Sequence, residues 1–241
     1  FGMWRANLTY TLQRIEMEYP EGSYYALIYG NLSGKYYQSS VTPMLWRSTI
    51  DSPLTPTRGT MYSASLKYAG SFLGGEIDMV KPNFEFTRYQ PLFGRGAKTQ
   101  SFGVHVQYGF VHTLHDSRIP YWERFFLGGE RSIRCYEVYS IGPRDANNYV
   151  IGGEKSIVLN AEYIIPVGGP LYAIFFYDRG NSVDYGSSLA WKNMYSSAGI
   201  EARLFIPALR VPFRLIFSYN NKKIYATDSN FAFRFAVGTT F

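Results

Sequence analysis

The last eleven residues, Phe231 to Phe241, read Phe-Ala-Phe-Arg-Phe-Ala-Val-Gly-Thr-Thr-Phe. Phe231, Phe233, Phe235, Val237 and Phe241 fall on one face of a strand. Ala232, Arg234, Ala236, Gly238 and Thr240 fall on the other. Side chains alternate across a strand, so this segment has one aromatic face and one small or polar face. About ten residues tilted by about 45° cross the apolar core of a bilayer. In lipid such an aromatic face is satisfied without any protein to cover it. In water it would need a covering layer, and the sequence after it offers none.

The rest of the chain repeats the pattern. Of 241 residues, 22 are Tyr and 18 are Phe, yet mean hydropathy is only −0.17. No run of about 18 apolar residues marks a transmembrane helix. High aromatic content with low mean hydropathy fits a transmembrane β-barrel, in which every second residue faces a wet lumen. Composition alone also allows a soluble β-sandwich. The net charge is +6, but Lys and Arg are scattered and no nucleic-acid motif is present, so nucleic acid is not an expected partner. A single cysteine, Cys135, excludes an intrachain disulfide and a cysteine-based zinc site.

About ten alternating segments can be counted, at 3–17, 35–49, 60–70, 76–90, 101–113, 152–166, 171–183, 196–206, 211–220 and 231–241. Trp4, Ala6, Leu8, Tyr10 and Leu12 share one face of the first. Phe102, Val104, Val106, Tyr108 and Phe110 share one face of the fifth. Pro82 lacks a ladder donor, so a bulge or a weak pair is expected there. Pro166–Pro170 and Pro207–Arg210 read as tight turns, whereas residues 114–149 form a long irregular connection. Short turns alternating with longer loops are the habit of outer-membrane barrels. Trp4, Trp46, Trp122 and Trp191 read as residues of an interfacial aromatic girdle.

Within the long connection lies Phe126-Leu127-Gly128-Gly129-Glu130-Arg131-Ser132-Ile133-Arg134-Cys135-Tyr136, too apolar and glycine-rich for a freely solvated loop. Gly128, Gly129, Ser132, Ile133, Arg134 and Tyr136 resemble the G-G-x-x-S-(V/I)-R-G-(F/Y) loop motif of the BamA/TamA superfamily of outer-membrane assembly factors. Cys135 stands where that family has glycine, and cysteine lacks glycine's ease at positive φ. Pro56, Thr57 and Gly59 resemble the family's F-P-T-x-G turn, with Thr55 in place of its aromatic. Phe175 to Asn181 resembles its F-x-D-x-G-N strand end, and Leu159 to Pro166 the preceding strand with its inward acid. Ser197 to Ile200 and the closing aromatic strand also fit. The resemblance covers most of the chain from about residue 35.

The resemblance implies an all-β, antiparallel transmembrane barrel of 16 strands, to which residues 1–241 contribute the carboxy-terminal part, with the 114–149 loop folded into the lumen and no POTRA domain in this stretch. Partner strands from elsewhere in the protein, or from another chain, would complete it. Alternation turns Glu162 and Asp178 inward, away from the apolar faces of their strands. If the loop enters the barrel, Arg134 reaches both and latches the loop; otherwise these are separate solvated charges. The implied function is folding and insertion of β-barrel client proteins in the outer membrane of a Gram-negative-type bacterium or an organelle. Outer-membrane lipids, unfolded clients and accessory lipoproteins would be its partners. Phe231, Phe233, Phe235 and Phe241 would form one side of an opening seam. Two other readings stay open: a polypeptide-export pore of the two-partner-secretion type, and the barrel of a patatin-like enzyme. No Ser-His-Asp set, phosphate loop or cofactor motif is present, and no enzyme activity is expected. His112 and His115 lack the carboxylates that would complete a metal site.

Overall fold

A computed structural model describes residues 3–18, 34–115, 119–206 and 211–238. Eleven strands form one antiparallel sheet: β1 (Arg5–Met17), β2 (Gly34–Ser48), β3 (Gly59–Ala69), β4 (Met79–Phe93), β5 (Gln100–Phe110), β6 (His112–Thr113), β7 (Lys155–Gly168), β8 (Leu171–Val183), β9 (Tyr195–Ile206), β10 (Val211–Asn220) and β11 (Phe231–Val237). Each pairs with the next in sequence, except that β7 lies beside β5 and the two-residue β6 pairs with β4. The remaining regular structure among the described residues is single turns of 3₁₀ helix. β1 and β11 are the two edges and are not paired with each other, so the sheet is open here.

Alternation in the sequence becomes alternation in burial. Along β7, Ser156, Val158, Asn160, Glu162 and Ile164 are buried, and the residues between them are half-exposed. In β5, Ser101, Gly103 and His105 face in, while Phe102, Val104, Val106 and Tyr108 face out. On the outer face, aromatic rings pair across strands. Phe217 and Phe233 lie 4.8 Å apart, Tyr219 and Phe231 5.0 Å, and Phe213 and Phe235 5.8 Å. Phe231 is 72% exposed and Phe233 60%. Each such ring left in water forfeits about 1.5–3 kcal/mol of burial, so a continuous face of them is built for a hydrocarbon surround.

Pro82 disturbs one side of its strand and not the other. The β3–β4 register runs through it without a bulge, pairing Leu66 with Pro82. On the opposite side β4 pairs with β5 as far as Asn83, then resumes with β6 at Val80. Pairing lapses at Lys81 and Pro82, where the missing donor sits. Register shifts occur elsewhere, between Pro91 and Phe93 and between Pro166 and Gly168. Phe241 and the 207–210 turn lie outside the described residues.

The interior departs from the expectation of a uniformly wet lumen. Ile164, Ile174, Phe176 and Ile216 point inward and are buried together with Tyr89 and Ala236. A second cluster joins loop residues Leu127, Ile133, Tyr136 and Ile141 to Val158 of β7. The loop between β6 and β7 therefore fills the concave side of the sheet. Two tryptophans read as girdle residues belong to this interior. Trp46 faces inward on β2, beneath the Arg5 guanidinium at 5.0 Å. Trp122 belongs to the loop and packs against Tyr36, ring centroids 5.6 Å apart. Trp4 and Trp191 are exposed. Tryptophan counts identify an aromatic protein, but only strand parity says which way a ring points.

Candidate functional site: a buried arginine–carboxylate cluster

The tip of the loop is a tight turn closed by its own groups. Gly128 and Gly129 sit at φ 103° and 95°. A side chain on Gly128 would collide with the Glu137 carbonyl, so that position requires glycine. The Ser132 hydroxyl accepts the Gly128 N–H at 2.9 Å, and the Gly129 N–H donates to the Tyr136 carbonyl at 2.9 Å. Cys135 adopts φ 81°, the glycine-like conformation, without being glycine. A left-handed residue with a Cβ costs about 1–2 kcal/mol, so the surrounding contacts hold it there against its preference. Its Sγ lies 3.5 Å from the Asn230 carbonyl and 3.5 Å from Asn220 Nδ2. Burial pushes the Tyr136 phenol up, and its hydroxyl donates to the Lys222 carbonyl at 2.9 Å.

This turn delivers Arg134 into the interior, fully buried. Its Nε and Nη2 donate to Asp178 Oδ2 and Oδ1, each at 2.7 Å, a bidentate fork. Nη1 donates to Glu162 Oε1 at 2.7 Å and to Glu201 Oε2 at 3.2 Å. The Arg134 backbone N–H also donates to Asp178 Oδ2, at 3.0 Å. The guanidinium lies 3.6 Å from the centroid of the Phe176 ring, a cation–π contact. Burial opposes the charge. The carboxylates, Asp178 foremost, outweigh burial and hold Arg134 above the ordinary guanidinium range.

Two further arginines complete the cluster. Arg203 Nε donates to Glu201 Oε1 at 2.7 Å, and its Nη2 reaches Glu162 Oε1 at 3.3 Å. Arg214 forks onto both oxygens of Glu201 at 2.8 Å. Asn160 bridges loop and wall, donating from Nδ2 to the Ser132 carbonyl at 2.7 Å and to Asp178 Oδ1 at 2.8 Å. Three guanidiniums thus face three carboxylates on β7, β8, β9, β10 and the loop. Such a cluster survives burial because every charge is compensated and hydrogen-bonded.

The structure brings Gly128, Gly129, Ser132, Ile133, Arg134, Cys135 and Tyr136 together with Glu162 and Asp178. Phe231, Phe233 and Phe235 lie apart, on the outer face of β11. Glu201, Arg203 and Arg214 were not singled out from the sequence. Alternation could have found them: Ala198, Ile200 and Leu204 face out on β9, and Leu215 and Phe217 on β10, which turns Glu201, Arg203 and Arg214 in. His112 lies beside Tyr185, ring centroids 5.5 Å apart, and His115 Nδ1 is 3.5 Å from Asp78 Oδ2. Among the described residues no group of three or more His, Cys, Asp or Glu is arranged to hold a metal ion.

The sequence and the fold both have counterparts among known proteins. An Omp85 superfamily domain matches residues 2–241. The chain belongs to the Omp85 superfamily. It is 32% identical over 199 residues to outer membrane protein assembly factor BamA of Nitratidesulfovibrio vulgaris, covering 80% of this chain and 24% of that protein. To BamA of Neisseria meningitidis serogroup B it is 27% identical, over 88% of this chain and 30% of that protein. To the mouse sorting and assembly machinery component 50 homolog it is 30% identical over 122 residues, 51% of this chain and 25% of that protein. The crystal structure of Haemophilus ducreyi BamA lacking POTRA domains 1–3 superposes with a TM-score of 0.73 at 18% identity, over 98% of this chain and 51% of that one. The chain thus spans about a quarter to a third of the curated relatives' length. The sheet is open here, and the BamA structure whose fold it shares extends well beyond it, since this chain covers 51% of that one.

Proposed function

We propose that this Omp85 chain forms the carboxy-terminal part of an outer-membrane barrel that folds and inserts β-barrel proteins. The observation that carries this reading is the family match along the whole chain, with relatives named as assembly factors at up to 32% identity. In the proposed mechanism β11 is one lip of a seam. Among the described residues it pairs on one side, with β10, and its other edge offers unsatisfied backbone groups. An unfolded client strand can add there by β-augmentation, its backbone bonds replacing those the seam gives up. The outer row of Phe231, Phe233 and Phe235 keeps that edge at lipid depth, where unpaired backbone groups are costly and pairing is strongly favoured. The Arg134 cluster holds the loop indoors so that the lip is presented on a stiff frame. No bond is made or broken, and no enzyme activity is assigned. Outer-membrane lipids and accessory lipoproteins are the proposed surroundings.

The test uses the full-length protein in lipid vesicles, with an unfolded β-barrel client and heat-modifiable gel mobility as the measure of client folding. Wild-type protein should accelerate client folding, and Arg134→Ala should lose most of that acceleration. Passage of polypeptide into the vesicle without acceleration of client folding would replace assembly with export.

A further inference from the structure

Charge is unevenly shared along the end of the sheet that carries the short turns 94–99 and 169–170. Residues 47–60 run from the end of β2 into β3, and residues 86–102 from β4 into β5. Together they carry five cations, Arg47, Arg58, Arg88, Arg95 and Lys98, against one acid, Asp51. The Asp51 carboxylate accepts the Thr57 N–H at 3.0 Å and the Arg58 N–H at 3.3 Å, within its own turn. Residues 165–172, around the β7–β8 turn at the same end, carry no charge. Outer-membrane barrels keep their short turns on the periplasmic side, so this end faces the periplasm.

Two of the five cations stand on the outer face. Arg47 of β2 is opposite Tyr62 of β3, and Arg88 of β4 is opposite Thr60, so the two flank β3 on the side of Leu45 and Phe84. Next-but-one strands lie about 10 Å apart, close enough for two arginine side chains to meet on one phosphate. Among the described residues neither meets a carboxylate. Arg47 lies over the Trp4 ring at 5.9 Å, and Arg88 donates from Nη2 to Gln90 Oε1 at 3.2 Å. Tyr62 stands between them, its ring 5.2 Å from Phe86 and 6.4 Å from Trp4. Further from the turns, Leu45, Ala64 and Phe84 stand side by side in the register. The small alanine between two large side chains leaves a furrow of about 590 Å³, with Leu66 along it and Pro43 and Pro82 at the end away from the arginines. That volume is within the range of sites that hold a small-molecule ligand. The furrow is centred on β3, between paired strands on both sides.

We infer that the outer face of β2–β4 is a binding site for one anionic phospholipid of the periplasmic leaflet, its phosphate held between Arg47 and Arg88 and one acyl chain lying in the furrow over Ala64. The inference rests on the reading of this face as membrane-embedded. Guanidinium and phosphate match as fork to fork, and the pair is stronger where the headgroup region holds less water. The arginine stems lie along apolar surface while their heads stay at headgroup level, beside the aromatic rings that mark that level. Head and tail of the lipid thus find complementary chemistry along the same three strands. The outer face of β9 and β10 toward the same end offers Leu204, Phe213 and Leu215, with no cation among them. Lipid meets that sector through its chains alone.

The experiment places full-length protein in phosphatidylcholine nanodiscs doped with phosphatidylglycerol whose acyl chain carries a photoreactive diazirine. After irradiation the labelled peptides are mapped, with the β9–β10 sector as internal control. Labelling should concentrate on the furrow residues of β2–β4. Unlabelled phosphatidylglycerol should compete it away, and unlabelled phosphatidylcholine should not. Arg47→Gln with Arg88→Gln should lower furrow labelling by about tenfold or more while leaving β9–β10 labelling unchanged, since each interfacial arginine contributes about a factor of five to anionic-lipid binding. Ala64→Leu, which fills the floor, should lower furrow labelling with both arginines in place. If the double arginine variant does not fold, the competition on wild-type protein decides. Labelling spread evenly over β2–β4 and β9–β10, or equal competition by the two lipids, would overturn the inference and leave the membrane reading intact. So would furrow labelling unchanged in the double arginine variant. Absence of labelling on both sectors would overturn the membrane reading, and the inference with it.

Discussion

Replacing Arg134 with alanine removes one charge from a cluster of three cations and three anions, leaving a net charge of −1 in a fully buried place. The loss does not fall evenly. Glu201 keeps Arg203 at 2.7 Å and Arg214 at 2.8 Å, and Glu162 keeps Arg203 at 3.3 Å. Asp178 loses both arms of its fork and retains neutral donors, Asn160 at 2.8 Å and the residue-134 backbone N–H at 3.0 Å. Stranding one partner of a buried pair costs about 3–5 kcal/mol. At about 1.4 kcal/mol per factor of ten, loop opening should become more frequent by about two to three and a half powers of ten. The predicted order of loop stability is wild type, then Arg134→Lys, then Arg134→Ala. Lysine keeps the charge but cannot fork onto Asp178. Combining Arg134→Ala with Asp178→Asn should recover part of the loss, because the stranded charge goes with it. The assay is protease accessibility of residues 126–140 across a urea series, read beside heat-modifiable mobility. An alanine variant with wild-type protection would refute the latch. A double variant no better than Arg134→Ala would show that the stranded Asp178 charge is not the source of the loss.

Other outcomes follow from other places in the molecule. Cys135→Gly should be more stable than Cys135→Ala by about 1 kcal/mol in urea unfolding, since both lose the sulfur contacts but only alanine keeps the positive-φ strain. Burial pushes the Glu123 carboxyl up, but the Lys67 and Lys81 contacts outweigh it and leave it below the usual value. Its contribution is therefore complete above the unfolded carboxyl's pKa and lost as pH falls through the lower folded value. Near-ultraviolet circular dichroism of the Trp122 region should hold down to mildly acid pH, and Glu123→Gln should abolish that pH dependence. Leu215→Arg, at mid-strand on the outer face, should cost about 2–4 kcal/mol in vesicle refolding, and Phe231→Arg at the strand end about 0–1 kcal/mol, because the penalty follows depth.

Period two carried most of what could be read in advance. It placed Phe102, Val104 and Val106 outside and Glu162 and Asp178 inside, because pleating leaves a strand residue only two directions. The same rule applied to Glu201, Arg203 and Arg214 would have completed the cluster, so their omission was a matter of where the pattern was followed. Glu123 and Trp122 are different. They sit in a loop without period, and their partners Gln38, Lys67, Lys81 and Tyr36 lie 42 to 86 residues away in the chain. Only the folded path of the loop brings them together. Ile164, Ile174 and Ile216 mislead in another way: an inward apolar residue breaks the outside-greasy pattern unless something packs on it, and strand reading does not see that Ile50, from the β2–β3 connection, and Tyr172 do so. Cys135 shows that a motif position can keep its backbone shape after losing the residue best suited to it, when Arg134 and Tyr136 on either side are held by their own bonds.

The Arg134 cluster also imposes a chronology. Its carboxylate partners come 28, 44 and 67 residues after Arg134, on three consecutive strands. The three acids become neighbours only when β7, β8 and β9 have paired in register, so the fork on Asp178 and the bonds to Glu162 and Glu201 close only after that pairing. The loop precedes its anchors in the chain and is secured by them last, so its docking certifies that three strands have aligned.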